Sequence, residues 1–323
     1  MVDVVVCQRK PPVLTPSSIP CLRRLPTINI TAGCALGCTY CYIQGYSNYP
    51  GPDRVLLYEN TPELVAEELR RKRKKPRRVY FSPSSDAFQY LPRVQAASLR
   101  TMTVLLESGV EVAFLTKGFV TPPFLRLFGR FPGRVFAQIG ITTLDTCLWR
   151  QFEPRTAPPQ MRLDFIRLLR DAGVETTARL DPLIPDVTDT SQNLSPLLER
   201  LAVAGIREAA VSYLFLRPPI ASGVSAQLAC LRNTTVSPAS WSSQPFADGR
   251  SGGRMINCAE REHRFEKIQQ LGWGLGIQVN VCRCKNPEFA DVGCRIAGPD
   301  DPASGVEIPL PLLAEASDCQ PAR

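Results

Sequence analysis

Between residues 61 and 281 a helix-patterned segment followed by a short apolar run occurs six times, and this alternation constrains the fold more than any other feature of the chain. The pairs are 61–75 with 78–82, 91–108 with 112–116, 122–128 with 135–141, 157–172 with 175–180, 195–204 with 209–215, and 260–271 with 276–281. Another strand-like run, 27–31, precedes them. Strands joined through helices run parallel, with right-handed crossovers. No glycine-rich dinucleotide fingerprint follows the first run. The sequence therefore predicts an α/β fold, a partial or complete parallel β/α barrel of about six to seven strands, with its chemistry at the C-terminal ends of the strands.

The loop after the first run reads NITAGCALGCTYCYIQ over residues 29–44, with Cys34, Cys38 and Cys41 spaced C-x3-C-x2-C. Thiolate sulfur is a soft donor that selects iron-sulfur clusters, zinc or copper(I). Three thiols leave a four-iron cluster with one iron that no protein residue occupies. Polar groups also follow the later strands: Ser84, Ser85 and Asp86, then Lys117, then Thr142 and Thr143, then Arg179 and Asp181. Their recurrence at the same end of successive strands marks them as candidate ligands of a bound cofactor.

Twelve cysteines in 323 residues point to metal ligands or reactive thiols if the chain is cytoplasmic, the compartment predicted from the lack of a signal-peptide pattern at its start. No apolar run approaches the length of a membrane span. Apolar residues make up 44% of the chain, enough for a sizeable core. The net charge of +8 lies wholly in residues 70–78, RRKRKKPRR, which hold eight basic residues and leave 30 basic against 30 acidic elsewhere. That run joins a helix end to a strand start, on the face opposite the cysteine loop, and reads as a solvated helix end before a nucleic-acid contact.

The expected organisation is an extended leader over 1–26, a barrel core over 27–216, a Ser/Gly/Pro-rich insertion or lid over 217–258, a last helix-strand unit over 259–298 and a tail over 299–323. Cys7 and Cys21 in the leader read as plain thiols. After the last strand Cys282, Cys284 and Cys294 form C-x-C-x9-C, a possible second metal site holding an auxiliary iron-sulfur cluster or zinc, with a fourth ligand from Cys258, Cys319, substrate or solvent. The single histidine, His263, reads as a surface residue.

The run from Cys34 to Tyr42, with an aromatic after the last cysteine and a strand before the first, resembles the radical SAM superfamily. Over about residues 27–185 the chain is similar to the spore photoproduct lyase group, through Tyr40 and Tyr42 flanking Cys41, Ser85-Asp86, Thr116-Lys117, Thr142-Thr143, Glu153-Pro154-Arg155 and Asp181 to Pro185. The resemblance implies a barrel of the radical SAM type and a [4Fe-4S] cluster on Cys34, Cys38 and Cys41. It also implies S-adenosylmethionine cleaved to a 5′-deoxyadenosyl radical, and a reducing partner such as a flavodoxin or ferredoxin. Ser85, Lys117 and Arg179 are the implied S-adenosylmethionine contacts, joined by Thr142; Tyr42, Ser84, Asp86 and Thr143 complete the candidate cradle. Tyr40 and Cys147 are the candidate catalytic residues. One departure is chemical: where the lyase carries a hydrogen-donating cysteine ahead of the Ser-Asp pair this chain has Pro83, which donates no hydrogen atom. The expected substrate is accordingly a peptide, a small metabolite or a nucleotide, and a lyase with another donor, such as Cys147, is the alternative. A zinc-stabilised nucleic-acid-binding protein is the alternative of another class.

Overall fold

The structure, a computed structural model, describes residues 2–231, 236, 241–245, 252–289, 295, 296 and 298. Seven parallel strands form the curved sheet: β1 (Pro26–Ile28), β2 (Arg78–Phe81), β3 (Glu111–Thr116), β4 (Val135–Gly140), β5 (Glu175–Leu183), β6 (Glu208–Tyr213) and β7 (Gln278–Val281). They pair in chain order from β1 to β7, and Thr15–Pro16 adds an antiparallel edge beside β1. β1 and β7 do not pair with one another, so the barrel is partial.

Helices α1 (Thr61–Arg71), α2 (Pro92–Glu107), α3 (Pro122–Gly129), α4 (Thr146–Phe152), α5 (Pro159–Asp171), α6 (Ser191–Val203), α7 (Pro218–Ala229) and α8 (Cys258–Gly274) connect the strands. Their start signals are local. Proline in the first turn of α1, α2, α3, α5 and α7 supplies a preset φ where an N–H has no helical partner. In α1 the buried residues Thr61, Pro62, Val65 and Leu69 make the inner stripe, and Arg70 and Arg71 close the last turn, where positive charge opposes the helix dipole.

The sheet is covered on both faces, which is why every residue of β2 and β4 is buried. Alternation sorts the side chains into two cores. Val79 and Phe81, with Val112 and Phe114 opposite them in register, face the helices. Tyr80 pairs with Ala113 and Ala113 with Phe136, and these face the barrel interior together with Ala210, Cys282 and Cys284.

Several expectations are corrected. The leader does more than wrap the body. Its strand Asp3–Cys7 pairs in parallel with Arg54–Tyr58, a strand not anticipated, and Thr31–Ala32 completes that small sheet. Leu22 and Leu25 then enter the barrel interior. Within the basic run Arg78 is not solvated: it is buried, pairs with Glu111 at 2.8 Å and lies 3.7 Å from the ring centre of Phe136. The expected insertion over 217–258 contains helix α7 and a hairpin of Ser242–Pro245 with Gly252–Met255. The short helix α4 also escaped the sequence pattern. His263 is exposed, as expected. Cys294, Cys319 and the tail from 299 lie outside the described residues. Among the described residues no helix is long and apolar enough to cross a membrane.

Candidate active site at the mouth of the barrel

The cysteine loop leaves the end of β1 and is bolted down from two sides. Gln89, fully buried, accepts the Ala35 N–H at 2.6 Å and donates to Thr31 Oγ1 at 3.1 Å and to the Asp86 carbonyl at 2.9 Å, tying the loop to the turn after β2. On the far side the Thr39 N–H donates to the Phe152 carbonyl at 3.0 Å, at the end of α4. Gly37 has φ +62°, a left-handed conformation that favours glycine. Cys34, Cys38 and Cys41 are half-buried on this loop. Burial raises all three thiols. Asp86 adds to the rise at Cys34 and Glu153 at Cys38, while Lys117 opposes it at Cys38 and Cys41. Metal binding displaces those protons.

Behind the loop lies a buried ionic group. Glu153 pairs with Arg162 at 2.5 Å and with Lys117 at 3.5 Å, and accepts a hydrogen bond from the Tyr40 hydroxyl. Burial pushes the Glu153 carboxyl up, but Arg162 and Lys117 outweigh it and hold it below its ordinary value. Arg162 is itself fixed by the carbonyls of Ala157 at 2.7 Å and Gly140 at 2.8 Å. Lys117 reaches the Asp181 carbonyl at 2.9 Å and passes 4.9 Å from the Tyr40 ring centre.

The other predicted residues divide into those that face the mouth and those that brace it. Asp86 accepts from Thr116 Oγ1 at 2.9 Å and from the Lys117 and Phe88 N–H groups at 2.8 Å, so it shapes the turn that presents Lys117. Thr143 Oγ1 accepts the Asp145 N–H at 2.9 Å, and the Thr142 carbonyl accepts from Asn193 at 2.8 Å. The Ser84 N–H is held by Asn29 at 3.0 Å. Ser85 differs: its hydroxyl is buried with no hydrogen-bond partner among the described residues. A buried unsatisfied hydroxyl costs about 1–3 kcal/mol, so a bound group that meets it is favoured there. The Tyr42 hydroxyl donates to the Pro83 carbonyl. Arg179 donates to Asp181 Oδ2 at 3.0 and 2.7 Å and touches Cys282 Sγ at 3.3 Å. Lys285, which the sequence reading did not single out, pairs with the other oxygen of Asp181 at 2.5 Å.

Lys117, Arg162, Arg179 and Lys285 thus face the two carboxylates Glu153 and Asp181, an excess of positive charge suited to an anionic group. Cys147, by contrast, is exposed on the first turn of α4, and the contacts of this group do not reach it. Cys282 and Cys284 are buried in the interior, with Cys21 packed beside them. Cys258 is buried at the start of α8.

A parallel partial barrel with three thiols and a cationic cradle at its C-terminal mouth defines an enzyme that handles a metal-bound cofactor. The chain belongs to the radical SAM superfamily: the family model of that description matches residues 28–193. An uncharacterized protein of Mycobacterium tuberculosis (strain ATCC 25618 / H37Rv) is 29% identical over 200 residues, 59% of each chain. A radical SAM Nalpha-GlyT isomerase of Pseudomonas phage M6 is 26% identical over 182 residues, 56% of this chain and 37% of that one. The chain therefore spans about three fifths of the length of the first curated relatives it matches. In fold it is similar to a spore photoproduct lyase mutant solved with AdoMet and dinucleoside spore photoproduct, at a TM-score of 0.67 and 17% identity over 85% of this chain and 81% of that one. The family implies a [4Fe-4S] cluster and S-adenosylmethionine.

Proposed function

We propose that this enzyme holds a [4Fe-4S] cluster on Cys34, Cys38 and Cys41 and S-adenosylmethionine in the adjoining cradle, and generates a radical that abstracts hydrogen from a peptide, small-metabolite or nucleotide substrate. The observation that carries the reading is the convergence of three half-buried thiols, Lys117, Arg179 and the unpartnered Ser85 hydroxyl on one mouth of the barrel. When bound, the cluster and cofactor supply one electron and a 5′-deoxyadenosyl radical. The protein supplies position and charge. Arg179 offers a fork and Lys117 an ammonium to the cofactor's carboxylate, and Ser85 a hydroxyl to its amine or ribose. Tyr40, held by Glu153 and beside Lys117, would border the cofactor's site from the cysteine loop.

Two parts of the reading are finer. Pro83 stands where the lyase has its donor, and Cys147 is exposed and apart from the cradle, so a reaction that returns hydrogen through that cysteine has no support from the geometry. Cys282 and Cys284 extend the proposal to a second thiol site, an auxiliary cluster or zinc, supported by their joint burial beside Cys21 and the contact with Arg179. A flavodoxin or ferredoxin is the proposed electron donor.

Anaerobically reconstituted protein should carry about four irons on the first site and release 5′-deoxyadenosine from S-adenosylmethionine on reduction. A Cys34→Ala, Cys38→Ala, Cys41→Ala variant that still does both would sink the assignment. For the second site, equal iron, zinc and sulfide in a Cys282→Ala, Cys284→Ala variant and the parent would remove it.

A further inference from the structure

The sheet formed by the leader leaves a cavity of about 240 Å³ on the outer side of the cysteine loop, and no residue of the proposed cluster or of the Lys117–Arg179 cradle lines it except Ser84. Its wall is unusual in charge. Arg9 and Lys10 both line it, and among the described residues none of the lining side chains is acidic. Arg9 is half-buried, with one guanidinium nitrogen 2.9 Å from the Asn29 carbonyl and its carbon 5.1 Å from the centre of the Tyr58 ring. Glu68, a carboxylate that acts on Arg9, is occupied by the Val13 and Leu14 N–H groups and by Lys72. Lys10 makes no hydrogen bond or ion pair among the described residues and is exposed at the rim. Two cations, one of them half-buried, face a space that no acidic side chain lines among the described residues.

The remaining wall is aromatic. Tyr46 and Tyr49 line the cavity with Tyr58, and such rings present flat apolar faces with polar tips. Gly33, next to Cys34, and Ile43 close the side nearest the loop. Burial raises the Tyr49 phenol, and Cys41 adds to the rise, which places that ring within electrostatic reach of the thiols.

We propose that this cavity is a binding site for an organic oxyanion, a phosphate or carboxylate carried on an aromatic ring, held by Arg9 and Lys10 with the ring against Tyr46 and Tyr49. A guanidinium fork matches either oxyanion, and the tyrosines reward a flat apolar body. The site shares Ser84 with the candidate S-adenosylmethionine cradle, but its cations and rings are not part of that cradle.

Calorimetry on anaerobically reconstituted protein saturated with S-adenosylmethionine tests it, with phenyl phosphate, benzoate, inorganic phosphate and the neutral benzyl alcohol as probes. Phenyl phosphate and benzoate should bind saturably, each more tightly than inorganic phosphate or benzyl alcohol. Arg9→Gln should weaken them about 10- to 100-fold, the loss of a charge-assisted hydrogen bond, and Lys10→Gln about threefold, as for an exposed charge. Since Arg9 also holds the loop through Asn29, its variant is checked for an unchanged melting temperature. Lys10→Gln removes charge without removing a bond. No saturable binding, affinity unchanged in both variants, or loss of binding when S-adenosylmethionine is present would overturn the site. Equal affinity for phenyl phosphate and inorganic phosphate would overturn the ring-binding half. A preference for phenyl phosphate over benzoate, or the reverse, identifies which oxyanion the site takes.

Discussion

The Nη2 of Arg179 lies 3.3 Å from the sulfur of Cys282, joining the middle of β5 to the residue that follows β7 across the intervening strand. The same guanidinium shares Asp181 with Lys285. Burial raises the Asp181 carboxyl, yet Lys285 and Arg179 outweigh it and keep the carboxyl below its ordinary value. One carboxylate therefore orders two cations and neutralises only one of them. An arriving carboxylate meets positive charge that is already aligned, and little reorganisation is needed to bind it.

From this arrangement Arg179→Met is expected to weaken S-adenosylmethionine binding about 10- to 100-fold, the equivalent of about 1.5–3 kcal/mol for a hydrogen bond to a charged group. Iron held by Cys34, Cys38 and Cys41 should not change, because those thiols sit on another element. Equilibrium dialysis on iron-loaded protein measures the affinity. An unaltered value would remove Arg179 from the cradle.

Gly140, the last residue of β4, faces the stem of Lys117: a Cβ there would stand 2.8 Å from both Cγ and Cε. Gly140→Ala should therefore displace the ammonium from the Asp181 carbonyl. The stem is flexible, so the stability cost should stay within the roughly 1–3 kcal/mol of ordinary overpacking. Cofactor affinity should fall more than in an alanine substitution on an outer helix face. Measuring both denaturant midpoint and affinity separates the two effects.

Glu153 and Arg162 are each almost wholly buried, with side chains 4% and 2% exposed. Removing one partner of such a pair costs about 3–5 kcal/mol, because the other charge stays buried without compensation. Glu153→Ala should lower stability by that order in urea unfolding and also free Tyr40. Arg162→Met should do the same. The double variant should cost less than the sum of the singles, since neither member of the Glu153–Arg162 pair is left facing the loss of the other. Strict additivity would show that the pair does not act as a unit.

The contrast between what was legible in the sequence and what was not follows from range. The six helix-strand pairs and the cysteine spacing are local signals, and the structure places β2 through β7 where periodicity puts them, with ends shifted by a few residues. Strand Arg54–Tyr58 was missed because its partners Asp3–Cys7 and Thr31–Ala32 lie far from it in sequence or across a turn, and its burial comes from them. Helix α7 was hidden by a composition of Pro, Ser, Gly and Ala without a clear apolar stripe. Arg78 was misread for a related reason: membership in a basic run says nothing about which member turns inward onto Phe136. Gln89 and Lys285 carry no motif at all, and only the fold brings them to Thr31 and Asp181. Ser84, Ser85, Lys117, Thr142 and Thr143 follow their strands as expected, whereas β5 runs on to Leu183, so Arg179 and Asp181 lie within it and not after it. Which of them face the mouth and which, like Asp86, brace a turn depends on hydrogen bonds that spacing does not encode.

The attachment of the leader has a pH signature. Glu68 on α1 accepts the N–H groups of Val13 and Leu14 at 2.8 and 3.2 Å and pairs with Lys72 at 3.1 Å. Burial raises its carboxyl, but those donors outweigh burial and leave it below the ordinary value of 4.5. A carboxyl lowered on folding stabilises the folded state above its unfolded pKa, and that contribution disappears as pH falls through the lower folded value. The leader should therefore be held fully above about pH 5 and loosen progressively below about pH 4.5. Hydrogen exchange at the Val13 and Leu14 amides, followed from neutral to acid pH, reads this directly. Glu68→Gln should give faster exchange at neutral pH by about 1–3 kcal/mol of protection and remove most of the acid dependence, because the charged acceptor is gone. If the acid dependence at these two amides is the same in both proteins, it comes from general unfolding and the Glu68 clamp is not its cause.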